Sequence, residues 1–99
     1  MKAFLKVPTI HLKVPTIHLN GTARDLLVEE YGNALSALEK ARQALCAITV
    51  HGRDYHVQDT PRAIDFALAE HAHRINRVQD VELEIQEILS KILDQRNNR

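Results

Sequence analysis

The chain has 99 residues, of which 13 are basic and 13 are acidic, so its formal net charge is zero. Apolar residues make up 44% of the chain and aromatic residues only 4%. A balanced charge argues against a general nucleic-acid binder, which usually carries a basic excess. The apolar fraction is too high for a disordered chain. The sequence contains no run of about 18 apolar residues, so no membrane span is predicted. The length indicates one domain with a thin core.

The N-terminal part contains two identical heptapeptides in tandem. Residues 6–12 and residues 13–19 both read Lys-Val-Pro-Thr-Ile-His-Leu. The β-branched residues favour a strand, and proline disfavours a helix. Because side chains of a strand alternate with a period of two, an odd repeat places Ile10 and Ile17 on opposite faces of one strand. We therefore expect the second copy to dock as a strand and the first to form an extension. A duplication without function is the alternative.

Two long amphipathic helices are predicted after the repeat, at residues 23–49 and 61–94. In each segment apolar residues recur at alternating intervals of four and three, which is typical of one buried helix face. The stripe of the first helix consists of Leu27, Tyr31, Ala34, Leu38, Ala41, Leu45 and Ile48. The stripe of the second helix consists of Ile64, Leu68, His71, Ile75, Val78, Glu82, Ile85, Leu89 and Ile92.

Short-range signals predict how these helices begin. Thr22 and Asp25 resemble a capping box for the first helix. Thr60 is expected to cap the second helix, with Pro61 at its first position. Gly32 lies inside the first helix and costs roughly 1 kcal/mol relative to alanine.

These elements predict a mainly α-helical fold. Residues 1–19 would form an N-terminal extension and strand, and residues 20–99 an antiparallel two-helix hairpin. The second helix is longer, and we expect it to overhang by about 10 Å at its C-terminal end. Its apolar residues there would need cover from the N-terminal strand or another subunit, which predicts a homo-oligomer, a dimer or larger. They are Ile85, Ile88, Leu89, Ile92 and Leu93.

Several single residues have a structural interpretation. Cys46 is the lone cysteine, so it forms no intramolecular disulfide, and we expect it to be a small buried apolar side chain. We expect His71 to be hydrogen-bonded in the core or at an interface. Glu82 should be paired, with a role in helix register as one hypothesis and a ligand contact as the alternative. The histidine spacing predicts no metal site, and no catalytic motif or cofactor site is present, so no enzyme is expected.

The segment between the helices, residues 50–59, concentrates polar groups. Arg53, Tyr55 and Gln58 offer a guanidinium, a stacking ring and an amide just before a helix N-terminus, where backbone N–H groups favour anions. They are our first candidates for binding a nucleotide-derived ligand. The weaker candidates are Asn20, Arg62, Arg74 and Arg77. In the alternative interpretation, Asp54 and Asp59 neutralise Arg53 and cap the following helix.

Two short motifs resemble segments of small phage and prophage proteins. Residues 16–22 read Thr-Ile-His-Leu-Asn-Gly-Thr, and residues 51–58 read His-Gly-Arg-Asp-Tyr-His-Val-Gln. The resemblance covers residues 14–95, although His56 stands where those proteins have a second tyrosine. The architecture is also similar to the Thoeris anti-defence sponges, phage proteins that bind cyclic ADP-ribose isomers made by host TIR enzymes.

This resemblance implies a function without catalysis. The chain would sequester a nucleotide messenger, a cyclic ADP-ribose isomer or a cyclic oligonucleotide, in the host bacterial cytoplasm. Arg53 would hold the pyrophosphate and Tyr55 would stack on adenine. No membrane partner and no general nucleic-acid binding are expected. The alternative function is an oligomeric helical module for protein–protein interaction, also of phage origin.

Overall fold

Two helices and the loop between them make up most of the fold. The computed structural model describes residues 12–58 and 60–96. Helix α1 spans Arg24–Cys46 and helix α2 spans Ala63–Leu93, and the loop between them contains a short 3₁₀ helix, Gly52–Asp54. The described part is mainly helical, as predicted, and contains no β-strand. In this part of the chain, no helix is long and apolar enough to cross a membrane.

The helices are antiparallel. At one end of the hairpin, the guanidinium of Arg24 donates to the carbonyl oxygen of Leu93 at 2.8 Å. At the other end, His71 Nε2 donates to the carbonyl oxygen of Leu45, also at 2.8 Å. The start of α1 therefore lies beside the end of α2, and the predicted hairpin is confirmed. The His71 bond also confirms the expected hydrogen-bonded histidine.

The longer helix overhangs at the end opposite to the one expected. Helix α2 has 31 residues and α1 has 23. The difference of eight residues corresponds to about 12 Å. Because α1 begins level with the end of α2 and ends level with His71, the excess is residues 63–70, at the start of α2. The expected C-terminal overhang was wrong, since Arg24, the first residue of α1, bonds to Leu93, the last residue of α2.

Both predicted caps were wrong. The N-cap positions are Ala23 and Arg62, and neither side chain makes a capping hydrogen bond. Each helix begins one or two residues later than predicted, so Thr22 and Thr60 lie outside the first turn. Cys46 was also expected to be buried, but it is exposed at the last residue of α1.

The inward face of α1 is rotated relative to the predicted stripe. Ala34 and Ala41 are exposed, whereas their neighbours Leu35 and Arg42 are half-buried. The physical reason lies on α2, where Glu82 is buried in the stripe and needs a cation. When α1 is rotated so that Arg42 faces α2, its guanidinium pairs with Glu82. The same rotation partly buries Leu35 in place of Ala34, and leucine has the larger apolar surface. The stripe of α2 is buried or half-buried as predicted, except for Leu68.

A polar pair crosses the middle of the hairpin. Glu82 is only 4% exposed, and its Oε1 lies 2.6 Å from Arg42 Nε. The hydrogen bond and negative charge of Glu82 raise the pKa of the Arg42 guanidinium above its ordinary value. The guanidinium therefore stays charged at every physiological pH, and the expected pairing of Glu82 is confirmed.

The ends of the chain meet in an arrangement that we call the terminal clasp, formed by Ile17, Arg24 and Gln95. The N–H of Ile17 donates to Gln95 Oε1, and Gln95 Nε2 donates to the carbonyl oxygen of Pro15, both at 2.8 Å. Arg24 Nε donates to the carbonyl oxygen of Gln95 at 2.9 Å. This bond and the bond from Arg24 to the carbonyl oxygen of Leu93 hold the guanidinium at the C-terminal end of α2. That end is the negative end of the helix dipole, which favours a cation.

The clasp docks the second repeat copy onto the hairpin. Ile17 is 4% exposed, and Ile92, near the end of α2, is fully buried. The first copy lies outside the described residues except for Leu12.

The core of the hairpin is small. Among the described residues, Ile17, Ala63 and Ile92 are the only buried apolar side chains. The radius of gyration is 19.0 Å, whereas a compact domain of this length has a radius of about 13 Å.

Replacing Arg42 with leucine should destabilise the protein strongly, because it leaves the Glu82 carboxylate in the seam without its partner. The double variant Arg42→Leu/Glu82→Leu should recover much of the loss, since neither charge then remains. Urea denaturation followed by circular dichroism measures both. Lys91→Leu, which removes an exposed pair with Glu87, is the matched control and should change little. Equal stability of Arg42→Leu and the parent chain would contradict a structural role for the pair.

Gly32→Ala should stabilise the protein by about 0.5–1 kcal/mol. Gly32 has helical backbone angles, and an added Cβ would meet no atom within 4 Å, so only the entropic gain remains. Thermal unfolding gives the measurement. Gly21→Ala is a useful contrast, since its Cβ would lie 2.8 Å from His18 Nε2 and the ring would have to move. A lower melting temperature for Gly32→Ala would mean that another surface packs on this position.

Candidate functional site

Hydrogen bonds connect neighbouring residues within the loop between the helices. His51 Nδ1 accepts from the N–H of Arg53 at 3.1 Å, at the start of the 3₁₀ helix. The N–H of Tyr55 then donates to the carbonyl oxygen of Gly52 at 2.9 Å. His56 Nδ1 folds back to donate to the carbonyl oxygen of Arg53 at 2.9 Å. The loop therefore presents Tyr55 toward the start of α2 from an ordered turn.

Tyr55 lies between two open clefts at the loop end of the hairpin. The first, which we call the Arg74 cleft, has a volume of about 360 Å³ and is also lined by Leu45, Ile48, Thr49, Val50, His71 and Arg74. The second, the Gln58 cleft, has about 280 Å³ and is also lined by Gln58, Thr60, Ala63 and Phe66. Tyr55, Ala67 and Glu70 line both clefts. These volumes lie at the lower limit of small-molecule sites, which begin at roughly 300 Å³.

Three of the predicted ligand-binding residues come together at these clefts. Tyr55 lines both, Arg74 lines one and Gln58 lines the other. The tyrosine is half-buried, whereas Gln58 and Arg74 are exposed. The sequence therefore located an aromatic ring, a guanidinium and an amide that the fold places at one end of the hairpin.

The other four candidates lie outside the clefts. Arg53 and Arg77 are exposed and line neither one. Arg62 donates from Nε to Asp65 Oδ2 at 2.6 Å, so its guanidinium is engaged beside the start of α2. Asn20 lies before α1, at the opposite end of the hairpin. The 23 residues of α1 separate it from the loop by about 35 Å.

Glu70 is the main cleft residue that the sequence analysis missed. It lines both clefts, and its Oε1 lies 3.8 Å from Arg74 Nη2. Ala67, Glu70, His71 and Arg74 recur at helical spacing, which could have shown that they share a face of α2. The carboxylate partly neutralises the guanidinium and adds a strong acceptor. The Arg74 cleft can thus hold a phosphate oxygen at Arg74 and a hydroxyl group at Glu70.

Arg62 has a strained backbone beside the site. Its φ and ψ angles of 60° and 33° lie in the left-handed region, which residues other than glycine rarely adopt. Among the described residues, glycines included, it is the only one with a positive φ. This conformation turns the chain from the loop into α2 directly beside the Gln58 cleft.

Neither a metal centre nor a known relative supplies a function. In residues 12–58 and 60–96, no group of three or more His, Cys, Asp or Glu side chains could hold a metal ion. Comparisons of the chain with protein-family models, with curated proteins and with solved structures gave no match. Function has to be inferred from the chemistry of the clefts and from the two sequence motifs.

Arg62→Gly should be more stable than Arg62→Ala by about 1 kcal/mol. Both variants lose the ion pair with Asp65, but only glycine adopts the left-handed conformation without steric cost. Chemical denaturation of the two variants side by side gives the difference, and the lost ion pair cancels between them. A more stable alanine variant would show that position 62 does not keep its left-handed backbone in solution.

Proposed function

We propose that this chain is a homo-oligomeric, non-catalytic binding protein that sequesters a nucleotide messenger. The observation that carries this proposal is the position of Tyr55, a half-buried ring between two clefts that also offer Arg74 and Gln58. The ligand class is a cyclic ADP-ribose isomer or a cyclic oligonucleotide. The resemblance to Thoeris anti-defence sponges supports a role against a bacterial immune signal in the host cytoplasm.

The ligand chemistry follows from the groups at the clefts. An adenine base stacks on the ring of Tyr55, as bases do on aromatic side chains in other nucleotide sites. Arg74 binds a phosphate oxygen, while Glu70 accepts from a ribose hydroxyl. The amide of Gln58 pairs with the edge of a base. Arg53, exposed on the same loop, is available to a second phosphate.

Exposed apolar surface supports the oligomeric part of the proposal. Phe66 is 59% exposed and lines the Gln58 cleft, and Ile48 is 54% exposed and lines the Arg74 cleft. A second copy of the chain covering these two side chains would also enclose the open clefts. Among the described residues, the other large apolar side chains that are exposed are Leu19, Leu26, Val57, Leu68, Val81, Leu83 and Leu93. Burial of such side chains between two copies would favour assembly.

The N-terminal strand belongs to the assembled state in this proposal. The amide of Gln95 already bonds the N–H of Ile17 and the carbonyl oxygen of Pro15, as an adjacent strand would. Extended segments rich in β-branched residues, such as residues 13–19, can also pair with a strand of another chain. In the proposed assembly, such pairing forms the N-terminal strand.

A thermal-shift panel tests the proposal. Cyclic ADP-ribose isomers, cyclic dinucleotides and cyclic trinucleotides are each added to the purified protein. A ligand present at 100 times its Kd stabilises by about 2.7 kcal/mol. Arg53→Ala, Arg74→Ala and Tyr55→Ala should each reduce the shift, and Tyr55→Phe should keep most of it because the ring remains. Lys91→Ala, near the opposite end of the hairpin, is the control and should keep the full shift.

Two further measurements separate the outcomes. Chromatography of the released ligand should recover it unchanged, since no catalysis is proposed, and light scattering should report a dimer or larger. Absence of a shift with every nucleotide, in a protein that is helical and oligomeric, would overturn sequestration. The exposed apolar side chains would then favour the second candidate function, an oligomeric module that docks other proteins through its helices.

A further inference from the structure

The side chain of Gln95 recognises the backbone of the segment that the terminal clasp holds. Its two bonds from the Gln95 side chain go to backbone atoms, the N–H of Ile17 and the carbonyl oxygen of Pro15. Ile17 is the buried side chain of that segment, whereas Lys13, Thr16 and His18 are exposed. A segment with isoleucine at this position and a backbone carbonyl two residues before it therefore offers the same buried side chain and the same two bonding groups.

The first repeat copy meets the same requirement in sequence. Ile10 and Pro8 stand in residues 6–12 where Ile17 and Pro15 stand in residues 13–19, and the five other residues are the same. Every group that the clasp bonds in the second copy thus has an equivalent seven positions earlier.

Chain length allows this exchange. With the second copy docked, residues 18–23 connect the buried Ile17 to α1. With the first copy docked, residues 11–23 make the same connection, and a chain of that length reaches roughly 43 Å when extended. A longer link costs little additional loop entropy. The turn in which the N–H of Gly21 donates to the carbonyl oxygen of His18 at 3.1 Å favours the second copy as the resting occupant.

We propose that the site formed by Gln95 and the end of α2 accepts either repeat copy of its own chain, in two registers seven residues apart. The first copy is a second ligand for an intramolecular site, and docking it releases residues 13–19. The tandem repeat thus acts as a pair of interchangeable segments competing for one site.

Isoleucine-to-serine variants test the exchange. In Ile17→Ser the first copy can take over, so the denaturation midpoint should fall only slightly, and Ile10→Ser should not change it. The double variant Ile10→Ser/Ile17→Ser has no competent copy, so its midpoint should fall by more than twice the sum of the single effects. If the midpoint of Ile17→Ser falls as far as that of the double variant, the proposal is overturned. The same holds if both variants are already unfolded without denaturant.

The repeat itself provides a matched control. Deleting residues 6–12 or residues 13–19 gives the same sequence, a one-copy chain. Serine at its remaining isoleucine should be as damaging as the double variant in the two-copy chain, because no reserve copy exists. A one-copy serine variant that is as stable as the two-copy Ile17→Ser would contradict the proposal.

Hydrogen exchange identifies the docked register directly. In Ile17→Ser, the amide of Ile10 should become protected at least tenfold relative to its protection in the parent chain, because it takes over the bond to Gln95. This protection should not depend on protein concentration. An unprotected Ile10 amide, or protection that appears only as the protein is concentrated, would overturn docking within one chain.

Discussion

A hairpin of two helices can bury only the narrow face that each helix turns to the other, and this constraint governs the rest of the molecule. Few apolar side chains of the described residues are fully buried, so hydrophobic burial alone positions the helices weakly. Polar contacts with directional geometry supply the alignment. The Arg42–Glu82 pair fixes the middle of the hairpin, and hydrogen bonds from Arg24 and Gln95 close one end. His71, bonded to the last turn of α1, closes the other.

The same constraint shapes the candidate site. Residues 12–58 and 60–96 form no third layer above the helices. The loop lies on the excess length of α2 and leaves clefts on both sides of Tyr55. The strained backbone of Arg62 accommodates this covering, because the chain has to turn sharply where the loop meets the helix. Apolar side chains such as Phe66 remain at the rim. Oligomerisation and ligand binding would therefore complete the same part of the molecule.

Sequence patterns predicted the structural features that depend on neighbouring residues. They failed for features that depend on residues distant in the chain. The two helices were found within three residues of their observed ends, because apolar spacing is a local property. The rotation of α1 was missed, since the partner that turns Arg42 inward is 40 residues away. The overhang of α2 was assigned to the wrong end because the sequence does not show which turn of α1 lies beside which turn of α2. Of the candidate residues, Tyr55, Gln58 and Arg74 line the two clefts and Arg53 does not, and the contribution of Glu70 depends on how the loop packs on α2.

The clasp has a consequence for the order in which the protein folds. Its contacts join residues 78 and 80 positions apart in the chain, whereas the loop between the helices brings His71 to Leu45 across 26. Closing a short loop precedes closing a long one, because less chain entropy is lost before contacts form. We expect the hairpin to zip from the loop toward the clasp, which then forms after the transition state. Weakening the clasp should accordingly accelerate unfolding and leave the folding rate almost unchanged.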